Sequence, residues 1–221
     1  MKYQTFVTKA LFRQNAWFFI PYLLFLVTAS LFLVQHDKGS MVLLLNKQSN
    51  PVLDQIFLYY TYVGDGFFGA AITILLLFYN RRQGILLGTA LVLAGALSQV
   101  LKYTVGAEAM RPEVYFLHTQ HFRDIPGLIR HAIHSMPSGH TTSAFCMFMM
   151  LSLLDRKRSY GYLFFILALL TGISRIYLAQ HFLDDVLAGS FLGVTVAIFV
   201  YLGFNRKLDN PGMNKPLLAK S

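Results

Sequence analysis

Residues 134–142 read HSMPSGHTT, and an apolar run follows them. Pro137 fixes φ, Ser138 is a favourable N-cap, Gly139 leaves backbone amides uncovered and His140 falls in the first turn, so the stretch predicts a helix start. Such a corner suits an anion. The fold therefore turns on whether the rest of the chain brings two distant sets of groups to it, Lys102 with Arg111, and Arg175 with His181 and Asp185.

The apolar run after His140 is one of several. Of the 221 residues, 55% are hydrophobic and 13% charged, which is far more apolar than an ordinary soluble domain and argues against a large soluble α/β core. Segments near the roughly 20 residues needed to cross a bilayer predict one all-α integral membrane domain over residues 1–221. Six spans are expected, at residues 16–34, 64–79, 84–101, 141–154, 160–177 and 186–201, forming a six-helix core over residues 15–204. The first follows Lys2, Lys9 and Arg13. It is longer than a signal-peptide core and no cleavage triplet closes it, so it is read as a retained helix. Between the first two spans, residues 41–45 and 52–62 predict short interfacial helices, with Tyr59, Tyr60 and Tyr62 at headgroup level. The glycines at 64, 66, 69, 84, 88 and 95 read as places of close helix approach. Cys146, the single cysteine, permits no internal disulfide and reads as a small buried hydrophobe.

Residues 104–137 form a long polar stretch without periodicity, the expected wall or lid of a site. Six spans put both termini on one side. That side collects Lys2, Lys9, Arg13, Arg81, Arg82, Arg156, Lys157, Arg158, Arg206, Lys207, Lys215 and Lys220. The other holds Lys38, Lys47, Lys102, Arg111, Arg123, Arg130 and Arg175. The positive-inside rule then predicts cytoplasmic termini, and the formal net charge of +9 reflects membrane orientation before nucleic-acid binding.

On the opposite face, Lys102, Arg111 and Arg175 would repel one another unless an anion joined them. Arginine forks match phosphate oxygens and lysine adds a mobile charge. The amides around Ser138, Gly139 and His140 supply further donors, so the implied ligand is a phosphate. His181 and Asp185 are four apart and share a helix face. The carboxylate would fix the imidazole tautomer, leaving its other nitrogen to attack phosphorus, while His140 protonates the departing oxygen and later assists water. Asp184 reads as a solvated or capping neighbour, although an irregular turn would exchange it with Asp185. Ser174 either orients the phosphate or caps.

The stretches 102–112 (KYTVGAEAMRP), 137–140 (PSGH) and 174–185 (SRIYLAQHFLDD) resemble the three signature motifs of the type 2 phosphatidic acid phosphatase (PAP2) superfamily of membrane lipid phosphatases and phosphotransferases. The first departs from the usual pattern: eight residues separate Lys102 from Arg111 where six are common. The resemblance implies His181 as nucleophile, His140 as general acid and Asp185 as orienting carboxylate. Lys102, Arg111, Ser138, Gly139 and Arg175 become phosphate ligands. It also implies a six-helix membrane core, a phosphohistidine intermediate, and no cofactor or metal.

His118, His121, His131 and His134 would otherwise raise a zinc site, but four histidines without a cysteine pattern are a weak signal. His118, His121, Arg123 and Arg130 are candidate headgroup contacts. The expected partner is a membrane lipid in a bacterial inner membrane, with the site periplasmic. A lipid A phosphate is the first substrate expectation; undecaprenyl pyrophosphate, phosphatidylglycerol phosphate and phosphatidic acid are its rivals. Transfer to a lipid or sugar acceptor, and anion transport without turnover, are the alternatives in kind. Oligomeric state is not legible.

Overall fold

The structure, a computed structural model, describes residues 11–119, 122, 124–155 and 159–218. Its regular elements are helical: α1 (Ala16–Gln35), α2 (Ser40–Asn46), α3 (Pro51–Tyr60) running into a 3-10 turn (Thr61–Gly64), α4 (Gly66–Tyr79), α5 (Arg81–Thr104), α6 (Pro112–Tyr115), α7 (Gly139–Leu154), α8 (Gly161–Tyr177) and α9 (Leu183–Phe204).

The expected six-span membrane bundle is corrected here. Helices occupy the six expected places, but among the described residues only α1, α5 and α9 are long and apolar enough to cross a bilayer. The count rises to four if the bent pair Pro51–Gly64 and Gly66–Tyr79 is one span. The reason is length. At 1.5 Å per residue, the 14 residues of α4, 16 of α7 and 17 of α8 reach only about 21–26 Å, against a hydrocarbon core of about 30 Å. Apolar character alone had suggested spans. In α7 it reflects burial within protein, because Phe145, Cys146, Met147 and Met149 are inaccessible on successive faces.

Helix α7 is the axis of the fold, packed on α9, α8 and α5. Glycines bring α9 backbone to backbone with it. A Cβ at Gly193 would lie 2.4 Å from the Thr142 carbonyl oxygen, and one at Gly189 2.7 Å from that of Ser138. This contact sets the PSGH corner against the start of α9, where the Ser138 amide donates to the Asp185 carbonyl at 3.1 Å.

The segment between α1 and α4 is more than an interfacial connector. Asn50 caps α3, its Oδ1 accepting from Val52 N at 3.1 Å and Leu53 N at 3.0 Å, and Pro51 opens the helix. The helix then bends by 54° into α4. Tyr59 and Tyr62 are exposed, whereas the Tyr60 hydroxyl donates to the Leu167 carbonyl on α8 at 2.9 Å. At the far end of the bundle, Ser152 donates to Asn15 Oδ1 at 3.3 Å. Arg82 there donates to Asn205 and Asp209, each at 2.6 Å. Both ends of the described chain therefore lie away from the PSGH corner.

Candidate active site

A cavity of about 360 Å³ opens beside the start of α7, lined by Lys102, Arg111, Gly139, His140, Arg175 and His181 from the expected set. Gly64, Asp65, Gly66, Gly95, Ser98, Gln99, His131 and Ser143 complete it. Each element delivers its group by a local rule. Lys102 sits in the last turn of α5, where a cation is favoured by the helix dipole. Ser138 is the N-cap of α7: its hydroxyl accepts from Thr141 Oγ1 at 2.9 Å and Thr141 N at 3.4 Å. That hydroxyl is buried in the cap and does not line the cavity. The next two amides, of Gly139 and His140, pair with no acceptor among the described residues. A Cβ at Gly139 would stand 4.0 Å from Lys102 Nζ, so the ammonium and these amides border the same space, where one anion can accept from both.

The two arginines share a partner that sequence reasoning passed over. Gln180 Oε1 accepts from Arg175 Nη2 at 3.3 Å and Arg111 Nη1 at 3.4 Å, while its Nε2 donates to the Ile129 carbonyl at 3.0 Å. Arg111 Nε also donates to the Ile133 carbonyl at 3.1 Å, and Arg175 Nη1 to Thr61 Oγ1 at 2.7 Å. Arg175 Nε and the buried Ser98 Oγ have no partner among the described residues, which leaves polar capacity at the cavity wall for an incoming anion.

His181 is buried with both nitrogens engaged. Arg111 Nη1 approaches Nε2 at 3.4 Å, which requires a lone pair there, so the proton sits on Nδ1, 3.3 Å from Asp185 Oδ2. Asp185 Oδ2 is itself fixed by the Phe182 amide at 2.9 Å and by the Ser135 hydroxyl. Burial first, then Arg175, Arg111 and Lys102, hold the His181 imidazole far below its ordinary pKa, and therefore neutral and nucleophilic. Burial first, then the charges of Arg175, Lys102 and Arg111, push His140 down as well.

The other candidates lie elsewhere. His118 is exposed, and His121 and Arg123 fall outside the described residues. Arg130 pairs with Glu113 at 3.3 Å and donates to the Leu178 carbonyl at 3.4 Å. Neither His118 nor Arg130 lines the cavity. Ser174 donates to the Thr171 carbonyl at 2.7 Å, and Asp184 pairs with Lys38 at 3.6 Å. His131 reaches the cavity while His134 packs on Tyr103, 4.8 Å between ring centroids. Among the described residues no three His, Cys, Asp or Glu side chains are grouped to hold a metal. Besides Gln180, the sequence reading missed Thr61, Asp65, Ser98 and Ser135. Ser135 and Gln180 adjoin motif residues, whereas Thr61 and Asp65 carried no signal.

A second cavity of about 390 Å³ runs from the first between α4 and α5, sharing Asp65, Gly66, Gly95 and Ser143. Leu91, Val92 and Ile74 are among its apolar walls. A Cβ at Gly66 or Gly95 would meet nothing within 4 Å, so these two glycines widen the passage and pack against no helix.

Comparison with known proteins agrees with this architecture. The chain is 31% identical to the undecaprenyl-diphosphatase BcrC of Bacillus subtilis over 71% of its length and 77% of that protein. It is 27% identical to the phosphatidylglycerophosphatase B of Bacillus subtilis over 72% of its length and 78% of that protein. The crystal structure of Aquifex aeolicus LpxE superimposes with a TM-score of 0.62 and 26% identity, covering 75% of this chain and 94% of that one. The PAP2 superfamily model matches residues 83–209, which hold the three cations, the three cavity-lining imidazoles and Asp185. On that match the chain belongs to the PAP2 superfamily, as a multi-pass membrane protein and lipid phosphatase.

Proposed function

We propose that the chain removes a phosphate from lipid A through a phosphohistidine on His181. The observation that carries the reaction is the gathering of the His140 and His181 imidazoles, three cations and two free amides on one cavity that continues into an apolar one. The His181 Nε2 lone pair attacks phosphorus and the ester P–O bond breaks, with His140 protonating the leaving oxygen. Water then attacks phosphorus, His140 takes its proton, the P–N bond breaks and inorganic phosphate leaves. Lys102, Arg111, Arg175 and the Gly139 and His140 amides hold the equatorial oxygens as charge builds.

Lipid A is favoured because the first cavity has room beyond a phosphate for the sugar that carries it, while the glycine-widened passage accepts an acyl chain. A second reading, undecaprenyl diphosphate, is favoured by the 31% identity to BcrC. Phosphate release by the purified protein from lipid A, undecaprenyl diphosphate, phosphatidylglycerol phosphate and phosphatidic acid distinguishes them. The highest kcat/KM is expected on lipid A. A higher value on another lipid transfers the assignment to it, and a phosphorylated acceptor in place of free phosphate makes the protein a transferase. In the same assay, Gly95→Leu fills the passage and is expected to cut turnover of the long-chain lipid about 100-fold while sparing a dibutyryl analogue. Equal losses on both would remove the chain-binding role.

The Arg82 cluster at the far end supports cytoplasmic termini and a periplasmic site in a bacterial inner membrane. In intact cells a membrane-impermeant maleimide is expected to label Glu108→Cys and spare Leu217→Cys. The reverse pattern would invert the orientation.

A further inference from the structure

The bend between α3 and α4 reaches the site from a stretch outside the matched residues 83–209. It is held there at two points. Thr61 accepts from Arg175 at 2.7 Å, and a Cβ at Gly64 would lie 2.6 Å from the His140 carbonyl oxygen and 2.9 Å from its Cβ. Asp65 follows at once. Its Oδ1 caps α4 by accepting from Phe67 N at 2.8 Å, which leaves Oδ2 free, 4.0 Å from His140 Nε2.

We infer that Asp65 is a positioning residue for the general acid, its carboxylate holding the His140 imidazole protonated and turned toward the leaving oxygen. This rests on the reading of His140 as the acid. The groups facing His140 make the need plain. Lys102 comes from α5, Arg111 and His131 from the 104–137 loop, Arg175 from α8, and His181 from the turn before α9 with Asp185 behind it. Among the described residues lining the cavity, Asp65 is the one carboxylate. An acid must carry its proton until the ester bond breaks, yet burial and three cations drive that proton off. Substrate phosphate offsets part of their field, and a carboxylate at ion-pair distance offsets more. A separation of 4.0 Å is open by hydrogen-bond standards, but catalytic contacts of this kind tighten when substrate binds. Capping alone does not call for a charge here, since asparagine caps as well as aspartate.

Asp65→Asn therefore keeps the cap and removes the charge. The probes are hexadecyl phosphate in detergent micelles, whose alkoxide needs a proton to depart, and 4-nitrophenyl phosphate, whose phenolate does not. The kcat on hexadecyl phosphate is expected to fall about 100-fold and that on 4-nitrophenyl phosphate by about threefold or less. The basic limb of the kcat profile moves to lower pH, because protonated His140 is lost earlier as pH rises. Asp65→Glu recovers part of the loss, and Asp65→Ser, which also caps, repeats the selective defect. Equal falls on both esters, or no fall, with an active wild type overturn the role of Asp65 alone. A wild type that turns over neither ester overturns the acid reading together with it.

Discussion

Replacement of His181 by alanine is expected to lower phosphate release by about 10⁴-fold or more, because no other group can take over the attack on phosphorus. Nε2 is turned toward Arg111, and Nδ1 is occupied by Asp185. His140, which also lines the cavity, is the proton donor to the leaving oxygen, and a protonated imidazole has no lone pair with which to attack. The fold should survive, as Asp185 keeps the Phe182 amide and the Ser135 hydroxyl when the imidazole is gone. Wild-type protein quenched in alkali during turnover of ³²P-labelled substrate should carry an alkali-stable, acid-labile phosphoryl group that peptide mapping places on residue 181. The variant should carry none at an unchanged melting temperature. Turnover by the alanine variant, or label on another residue, would end the covalent mechanism assigned to His181.

The motif residues were legible because their chemistry is dense and local. Ser138 before Gly139 reads as a cap, and it is one. The four-residue step from His181 to Asp185 brings carboxylate to imidazole across the first turn of α9. The span count was not legible, because an apolar helix inside a bundle has the composition of one facing lipid. Residues 144–151 of α7 are an unbroken apolar run because protein surrounds them, and the 16 residues of the helix fall short of a bilayer. Thr61 and Asp65 were hidden for the opposite reason. They lie about 75 to 115 residues from the groups they meet, and nothing in their own neighbourhood shows that a 54° bend turns them inward. Glycine was ambiguous in kind: Gly189 and Gly193 admit a neighbouring backbone, while Gly66 and Gly95 face open space.

Asp185→Asn should cost about 10³- to 10⁴-fold in kcat, of the order seen when the orienting carboxylate of a catalytic triad loses its charge. One oxygen, Oδ2, collects the Phe182 amide, the Ser135 hydroxyl and His181 Nδ1. An asparagine with its oxygen in the Oδ2 position accepts the same three bonds only as a weaker, uncharged acceptor. One that reverses its amide sets its NH₂ against the Phe182 N–H and His181 Nδ1–H, and the ring can then meet it only by moving its proton to Nε2, where the lone pair is needed. The imidazolium character that develops as phosphorus bonds to Nε2 also loses its counter-charge. Lys102, Arg111 and Arg175 are untouched, so KM should stay within about threefold and the defect should fall on kcat. Ser135→Ala removes one of three bonds to the carboxylate and leaves its charge in place, so a loss of only about tenfold is expected. If Asp185→Asn retained more than a tenth of wild-type kcat, or if its loss lay in KM, Asp185 would be a structural partner of the Phe182 turn and the tautomer of His181 would have to be set by Arg111 alone.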